Sequence, residues 1–204
     1  MQRKLIKKLM NTQTVLFSNN DFVSPSNLLA TTTAFFGGEI DLDPASSESA
    51  NSVVEAQRYF DWKANGLKQD WKAKTVYLYP PRDLLNGSEQ PEDKRLFRKK
   101  LRFRKSAQRV WLEKCYDQWI HNQFEQAIIF LTSSEVALLV TQKIEFDFPL
   151  CILAEHPKLL KETTLEPVSS RVFGFVYYLP PVNNADEAVR NFYNSYSNLG
   201  RVYT

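Results

Sequence analysis

The sequence predicts an α/β domain in which a mostly parallel sheet is covered by flanking helices. Two observations predict it. Apolar runs without a polar face, such as Ala127-Ile128-Ile129-Phe130-Leu131, read as strands buried on both sides. Between such runs, apolar residues recur at helical spacing, most clearly Trp111, Leu112, Cys115, Tyr116, Trp119 and Ile120. Buried strands alternating with helices favour a parallel sheet with helices on its faces.

In chain order, residues 1–20 read as a basic, then polar, N-terminal arm ahead of one domain over residues 21–204. Ser26 is placed to cap a helix from Asn27 to about Phe36, which Gly37-Gly38 closes. Glu39 to Asp43 alternates polar and apolar and stops at Pro44, the pattern of a short strand. Residues 46–59 are helix-compatible around Val53, Val54 and Ala56. Lys74 to Tyr79 is a strand ended by Pro80-Pro81, because proline has no N–H for the ladder. A charged insertion spans about residues 84–106. Then come a helix over 107–124, the 127–131 strand, a helix over 135–141, strands at 150–153 and 172–178, and a helix over 185–196. Val176-Tyr177-Tyr178-Leu179-Pro180-Pro181 resembles Val76-Tyr77-Leu78-Tyr79-Pro80-Pro81, but so few positions read as two strands sharing a stop signal, not as a repeat.

Composition narrows the function. A chain of 204 residues with 43% hydrophobic and 24% charged residues is long and apolar enough for a core, which excludes a disordered class. Six glycines are few for a nucleotide site built from a Gly-rich loop, and Gly37-Gly38 reads more simply as a helix end. Cys115, Cys151, His121 and His156 lack metal-ligand spacing, so no metal is expected. Two unpaired thiols suit a reducing compartment, and the basic N-terminal residues lack the apolar stretch of a secretory signal. No apolar run is long enough for a membrane span. The expectation is a cytoplasmic protein without membrane insertion. A net charge of +3 is too small to specify a partner by itself.

The motifs carry more. In order stand Asp21-Phe22-Val23-Ser24-Pro25, Ile40-Asp41-Leu42-Asp43-Pro44-Ala45, Arg58-Tyr59-Phe60, Asn65-Gly66-Leu67, Trp71 and Tyr79-Pro80-Pro81-Arg82. That order and spacing resemble the phage-type DNA N6-adenine methyltransferases (the Dam family). Their usual run is aromatic-x-Thr-Pro, Asp-Leu-Asp-Pro-Ala, Tyr-Phe, Gly-Leu-x-x-x-Trp and Asn/Asp-Pro-Pro-Tyr. The likeness extends from about Asp21 to about Pro181 and is one of pattern only in the downstream half. It implies a Rossmann-like methyltransferase fold, S-adenosylmethionine as cofactor, and catalysis on a flipped-out adenine. By the same resemblance, Asp43 would hold a ribose hydroxyl. Asp41, Pro44 and Ala45 would shape that turn, and Pro25 would line the methionine end. An acid before proline at a strand end also serves simply to cap the next helix.

The tetrapeptide departs from the family. Adenine N6 is a weak nucleophile, and the family's Asn or Asp accepts its hydrogens together with the first proline carbonyl, while the last aromatic stacks on the base. Tyr79 stands at the acceptor position, with a bulky phenol that is mainly a donor at neutral pH. Arg82 stands at the stacking position and brings a charge. The catalytic positions Tyr79, Pro80, Pro81 and Arg82 thus keep the prolines and lose the flanking chemistry.

A further signal lies in the insertion. Between Lys94 and Arg109 stand Arg98, Lys99, Lys100, Arg102, Arg104 and Lys105 among other bases, with Phe97 and Phe103 interleaved and no acid. Cations with stacking surfaces suit nucleic acid, DNA more than RNA beside this motif set; a solvated charged helix or an acidic protein partner would use the same residues. Three functions follow as expectations: a catalytically inactive methyltransferase-like protein that binds or scaffolds nucleic acid or protein; an active, divergent adenine methyltransferase; or an interaction subunit of a larger assembly. Trp62, Trp71, Trp111 and Trp119 read as core residues.

Overall fold

The computed structural model describes residues 22–81, 107–143 and 148–204. The proposed N-terminal arm, Asp21, Arg82 and the basic residues from Lys94 to Lys105 lie outside them. The elements in order are β1 (Phe22–Val23), α1 (Ser26–Phe35), β2 (Leu42–Asp43), α2 (Glu48–Val54), β3 (Arg58–Tyr59), a 3-10 turn (Gly66–Lys68) and β4 (Ala73–Leu78). After these come α3 (Ala107–Ile120), β5 (Phe124–Leu131), α4 (Ser134–Lys143), β6 (Leu150–Leu153), β7 (Leu159–Lys161), β8 (Pro167–Val168), β9 (Phe175–Leu179), α5 (Ala185–Tyr196) and β10 (Gly200–Tyr203).

The architecture is α/β, with a sheet of seven described strands ordered β10-β6-β9-β5-β4-β2-β3. This sheet is mixed, not mostly parallel. β3, β2, β4 and β5 run parallel, whereas β9 is antiparallel to both β5 and β6, and β10 is antiparallel to β6. Burial on both faces makes Phe175–Leu179 apolar throughout, and that pattern is the same for either strand direction. The connection decides it: β9 follows the β7–β8 hairpin, with no crossover helix to return the chain to the other end of the sheet. β1, β7 and β8 form a separate small sheet.

Two apolar layers sandwich the main sheet. On one face Leu42, Val76, Leu78, Ala127, Ile129 and Leu131 pack with Trp111, Leu112 and Cys115 of α3 and Val136 and Ala137 of α4. On the other, Tyr77, Ile128, Phe130, Val176 and Tyr178 pack with Leu28 and Leu29 of α1 and Phe192 and Tyr196 of α5. The strict alternation along β4 and β5 follows from the pleat, which sends successive side chains to opposite faces.

Several boundaries differ from the sequence reading. Ser26 is the first residue of α1, and the cap position belongs to Pro25, whose extended backbone offers its carbonyl to the Leu29 N–H at 3.1 Å. Gly37 and Gly38, at φ +87° and +113°, end that helix as expected, in a region that side chains rarely adopt. The helix within 46–59 is shorter than its pattern. It ends before Glu55, and Arg58–Tyr59 joins the sheet beside β2. The polar C-terminal residues form β10, because β6 offers them an open edge.

Candidate functional site

Strand order reverses around β2. The chain runs from β2 to β3 on one side and then returns to place β4 on the other. Crevices outside the carboxyl ends of strands at such a switch point are where open α/β sheets bind ligands. Asp43 ends β2, and Tyr79-Pro80-Pro81 follows β4, so the structure brings these motif residues to one edge of the sheet.

Asp43 is 3% exposed. Its Oδ1 accepts the Ala45 N–H at 3.1 Å, and the Ser46 hydroxyl also hydrogen-bonds the carboxylate. Burial outweighs both bonds and pushes the carboxyl up to about 6. The helix-capping role belongs instead to Ser47, whose Oγ accepts the Ala50 N–H at 3.0 Å. Asp41 goes elsewhere. Its carboxylate accepts the Lys74 N–H at 2.7 Å and lies 3.5 Å from the Arg58 guanidinium, so it ties β2 to the amino end of β4 and not to the turn at Pro44.

Pro44 is held from behind. Gly66 lies so close to the Pro44 carbonyl that any Cβ there would overlap its oxygen. The Gly66 carbonyl accepts the Trp71 indole N–H at 2.8 Å, and Trp71 stacks on Trp111 with ring centroids 6.1 Å apart. Asn65-Gly66-Leu67 and Trp71 therefore serve the Asp43-Pro44-Ala45 turn through packing. Trp62, expected in the core, is 42% exposed.

Ser24 and Pro25 come to the same region in the link between β1 and α1. Both are buried, and the Tyr77 hydroxyl donates to Ser24 Oγ. Burial raises the Tyr77 phenol well above its ordinary value, and the nearby Asp43 charge adds to the rise. Pro25 also borders a cleft of about 550 Å³ together with Ser26, Asn27, Glu155, His156 and Lys158; Asp43 does not line it. The tie between Ser24 and Tyr77 was not foreseen, although a tyrosine amid aliphatic strand residues is the signal that could have found it, since a buried phenol needs a partner.

Tyr79 is half-buried. Its ring lies 4.9 Å from that of Phe130 at 39°, so it joins the layer that also holds Tyr77. Pro80 is buried and Pro81 half-buried. Glu162, also unforeseen, binds the start of α2: it accepts the Ser47 hydroxyl, and its carbonyl accepts the Ser49 hydroxyl at 2.6 Å. Among the described residues no group of His, Cys, Asp and Glu is placed to hold a metal, and no helix is long and apolar enough to cross a membrane. No family model, curated protein or solved structure matches the chain.

Proposed function

We propose that the chain is a DNA adenine methyltransferase-like domain that binds an adenosyl ligand of the S-adenosylmethionine class, has lost N6 transfer, and acts as a nucleic-acid-binding scaffold. The observation that carries this reading is Tyr79. At the carboxyl end of β4, where transfer needs a compact acceptor, a half-buried phenol ring packs on Phe130. A tyrosine hydroxyl at neutral pH supplies one weak acceptor and one competing donor.

The donor set at the neighbouring turn suits a ribose. A carboxylate has about four lone-pair sites. Asp43 gives one oxygen to the Ala45 N–H, is further bonded by the Ser46 hydroxyl, and keeps acceptor capacity for a ligand hydroxyl. Pro44 and Ala45 fix its direction. S-adenosylmethionine would supply an activated methyl group; Tyr79 provides no compact, strong acceptor to use it.

Two measurements test the reading. Calorimetric titration with S-adenosylmethionine should give saturable binding that weakens as the pH falls through about 6, where Asp43 takes up a proton. Incubation with labelled S-adenosylmethionine and single- or double-stranded DNA should leave adenine unmethylated. Cofactor-dependent methylation by the unaltered chain would overturn the loss of catalysis, and absence of binding at every pH would overturn the adenosyl site.

A further inference from the structure

The sheet ends at β3, an edge strand whose described strand neighbour is β2 alone. From Arg58 to Lys74 the chain leaves this edge, passes the carboxyl end of the sheet and returns to the start of β4. Its inward residues are apolar: Phe60, Leu67 and Trp71 pack into the layer containing α3. Its exposed residues are of another kind. They are Arg58, Lys63, Lys68, Lys72 and Lys74, the aromatics Tyr59 and Trp62, and one acid, Asp70.

Of the acids in and beside this stretch, Glu125 stands exposed on β5 at the register of Lys74, whereas Asp61 and Asp41 are engaged. Asp61 accepts the Ala64 N–H at 2.8 Å, and Asp41 accepts the Lys74 N–H and pairs with Arg58. Arg58 is thereby partly neutralised and Lys74 is partly offset by Glu125, which leaves Lys63, Lys68 and Lys72 as the main source of positive field. Tyr59 is 37% and Trp62 42% exposed, and the Lys63 ammonium stands 5.6 Å from the centre of the Trp62 ring. Rings of this size exposed beside cations give stacking surfaces next to phosphate partners, the combination that holds unpaired nucleotides. A duplex offers its phosphates to the same lysines but keeps its bases stacked on one another.

We propose that the β3 edge, from Arg58 to Lys74, is a contact surface for single-stranded nucleic acid, with Lys63, Lys68, Lys72 and Lys74 meeting phosphates and Tyr59 and Trp62 meeting bases. This rests on the scaffold reading above only for the class of partner, and it places that partner on residues other than the basic segment between Lys94 and Arg109. An acidic protein would satisfy the lysines but leave the two rings without a matching surface.

The test uses the full chain and labelled oligothymidylate, followed by fluorescence anisotropy over a range of salt concentrations without any adenosyl ligand. Replacing the four lysines together (Lys63→Gln, Lys68→Gln, Lys72→Gln and Lys74→Gln) should reduce the slope of log affinity against log salt by about 3. Trp62→Ala should weaken binding by about 5- to 150-fold with the slope unchanged. A duplex of the same length should bind more weakly and lose little with Trp62→Ala. Thermal melts establish that the variants are folded. If the parent binds and both variants bind equally well, the edge assignment is overturned while the scaffold reading stands. If the parent binds no nucleic acid, both fall. Equal affinity for polyglutamate and oligothymidylate would replace the nucleic acid by an acidic protein and overturn the proposal.

Discussion

The ends of β4 and β9 carry nearly the same residues and have opposite surroundings. Val76-Tyr77-Leu78-Tyr79-Pro80-Pro81 runs parallel to β5, whereas Val176-Tyr177-Tyr178-Leu179-Pro180-Pro181 runs antiparallel to it. Their Pro-Pro pairs therefore leave the sheet at opposite edges. At the β4 end, Tyr77 meets the Ser24 hydroxyl and the charge of Asp43. At β9, Tyr177 donates to the Ala137 carbonyl at 2.9 Å, and the Pro180 carbonyl accepts the Trp119 indole N–H at 3.0 Å. A one-residue difference in phase also sends Tyr77 and Tyr177 to opposite faces. The β4 end collects buried side-chain polar groups, among them Asp43, whose carboxyl burial pushes up to about 6. The β9 end is closed largely by backbone acceptors. Local sequence sets where a strand stops, while strand direction sets what chemistry meets its end.

The largest expected effect tests whether the β4 edge depends on the packing behind Pro44. Gly66→Ala should destabilise the fold by about 3 kcal/mol or more, since the added methyl meets backbone that no rotamer change can move. Urea denaturation reads the loss directly; a change under about 1 kcal/mol would mean that the Gly66 and Pro44 turns can separate freely.

Next in size is a pH effect that belongs to the β4 edge alone. Asp43 binds its proton more tightly folded than unfolded, with the folded value near 6. Between about pH 4 and pH 6 the native state therefore holds more protons, and the stability contributed by this group falls as pH rises. Comparing the parent with Asp43→Asn, the stability difference should move by roughly 2 kcal/mol in favour of the variant from pH 4 to pH 7. A difference that is flat with pH would place Asp43 in a wetter setting.

The smallest effects set one strand end directly against the other. Tyr77→Phe leaves the buried Ser24 hydroxyl without its donor and should cost about 1–3 kcal/mol. Trp119→Phe removes the donor to the Pro180 carbonyl at a part-buried site and should cost about 1 kcal/mol. Thermal melts rank the pair, and an equal or reversed order would end the contrast between the two strand ends.

Much of the fold was readable. Leu150–Leu153 and the helix over 185–196 stand where their patterns placed them, and the other long elements differ by a few residues at their ends. The short strands β1, β7, β8 and β10 were not readable, because so few residues carry no periodicity and pairing partners alone define them. At the site, the spacing of Asp43 and Pro80 marked two strand ends correctly. It did not distinguish Asp41, which braces the start of β2 against β4, from Asp43, which closes the turn, since both are acids within one short alternating stretch.

By itself the sequence determined the α/β class, the stops at Pro44 and Pro80, and the bulk of the phenol that Tyr79 places beside Pro80, because these follow from side-chain period, a missing N–H and the size of a ring. The tertiary structure alone decided that β9 runs against β5, that Ser24 and Asp43 gather around Tyr77, and that Trp62 is exposed where a core position was expected. Strand direction and long-range burial depend on which segments meet, and no local pattern of residues encodes that meeting.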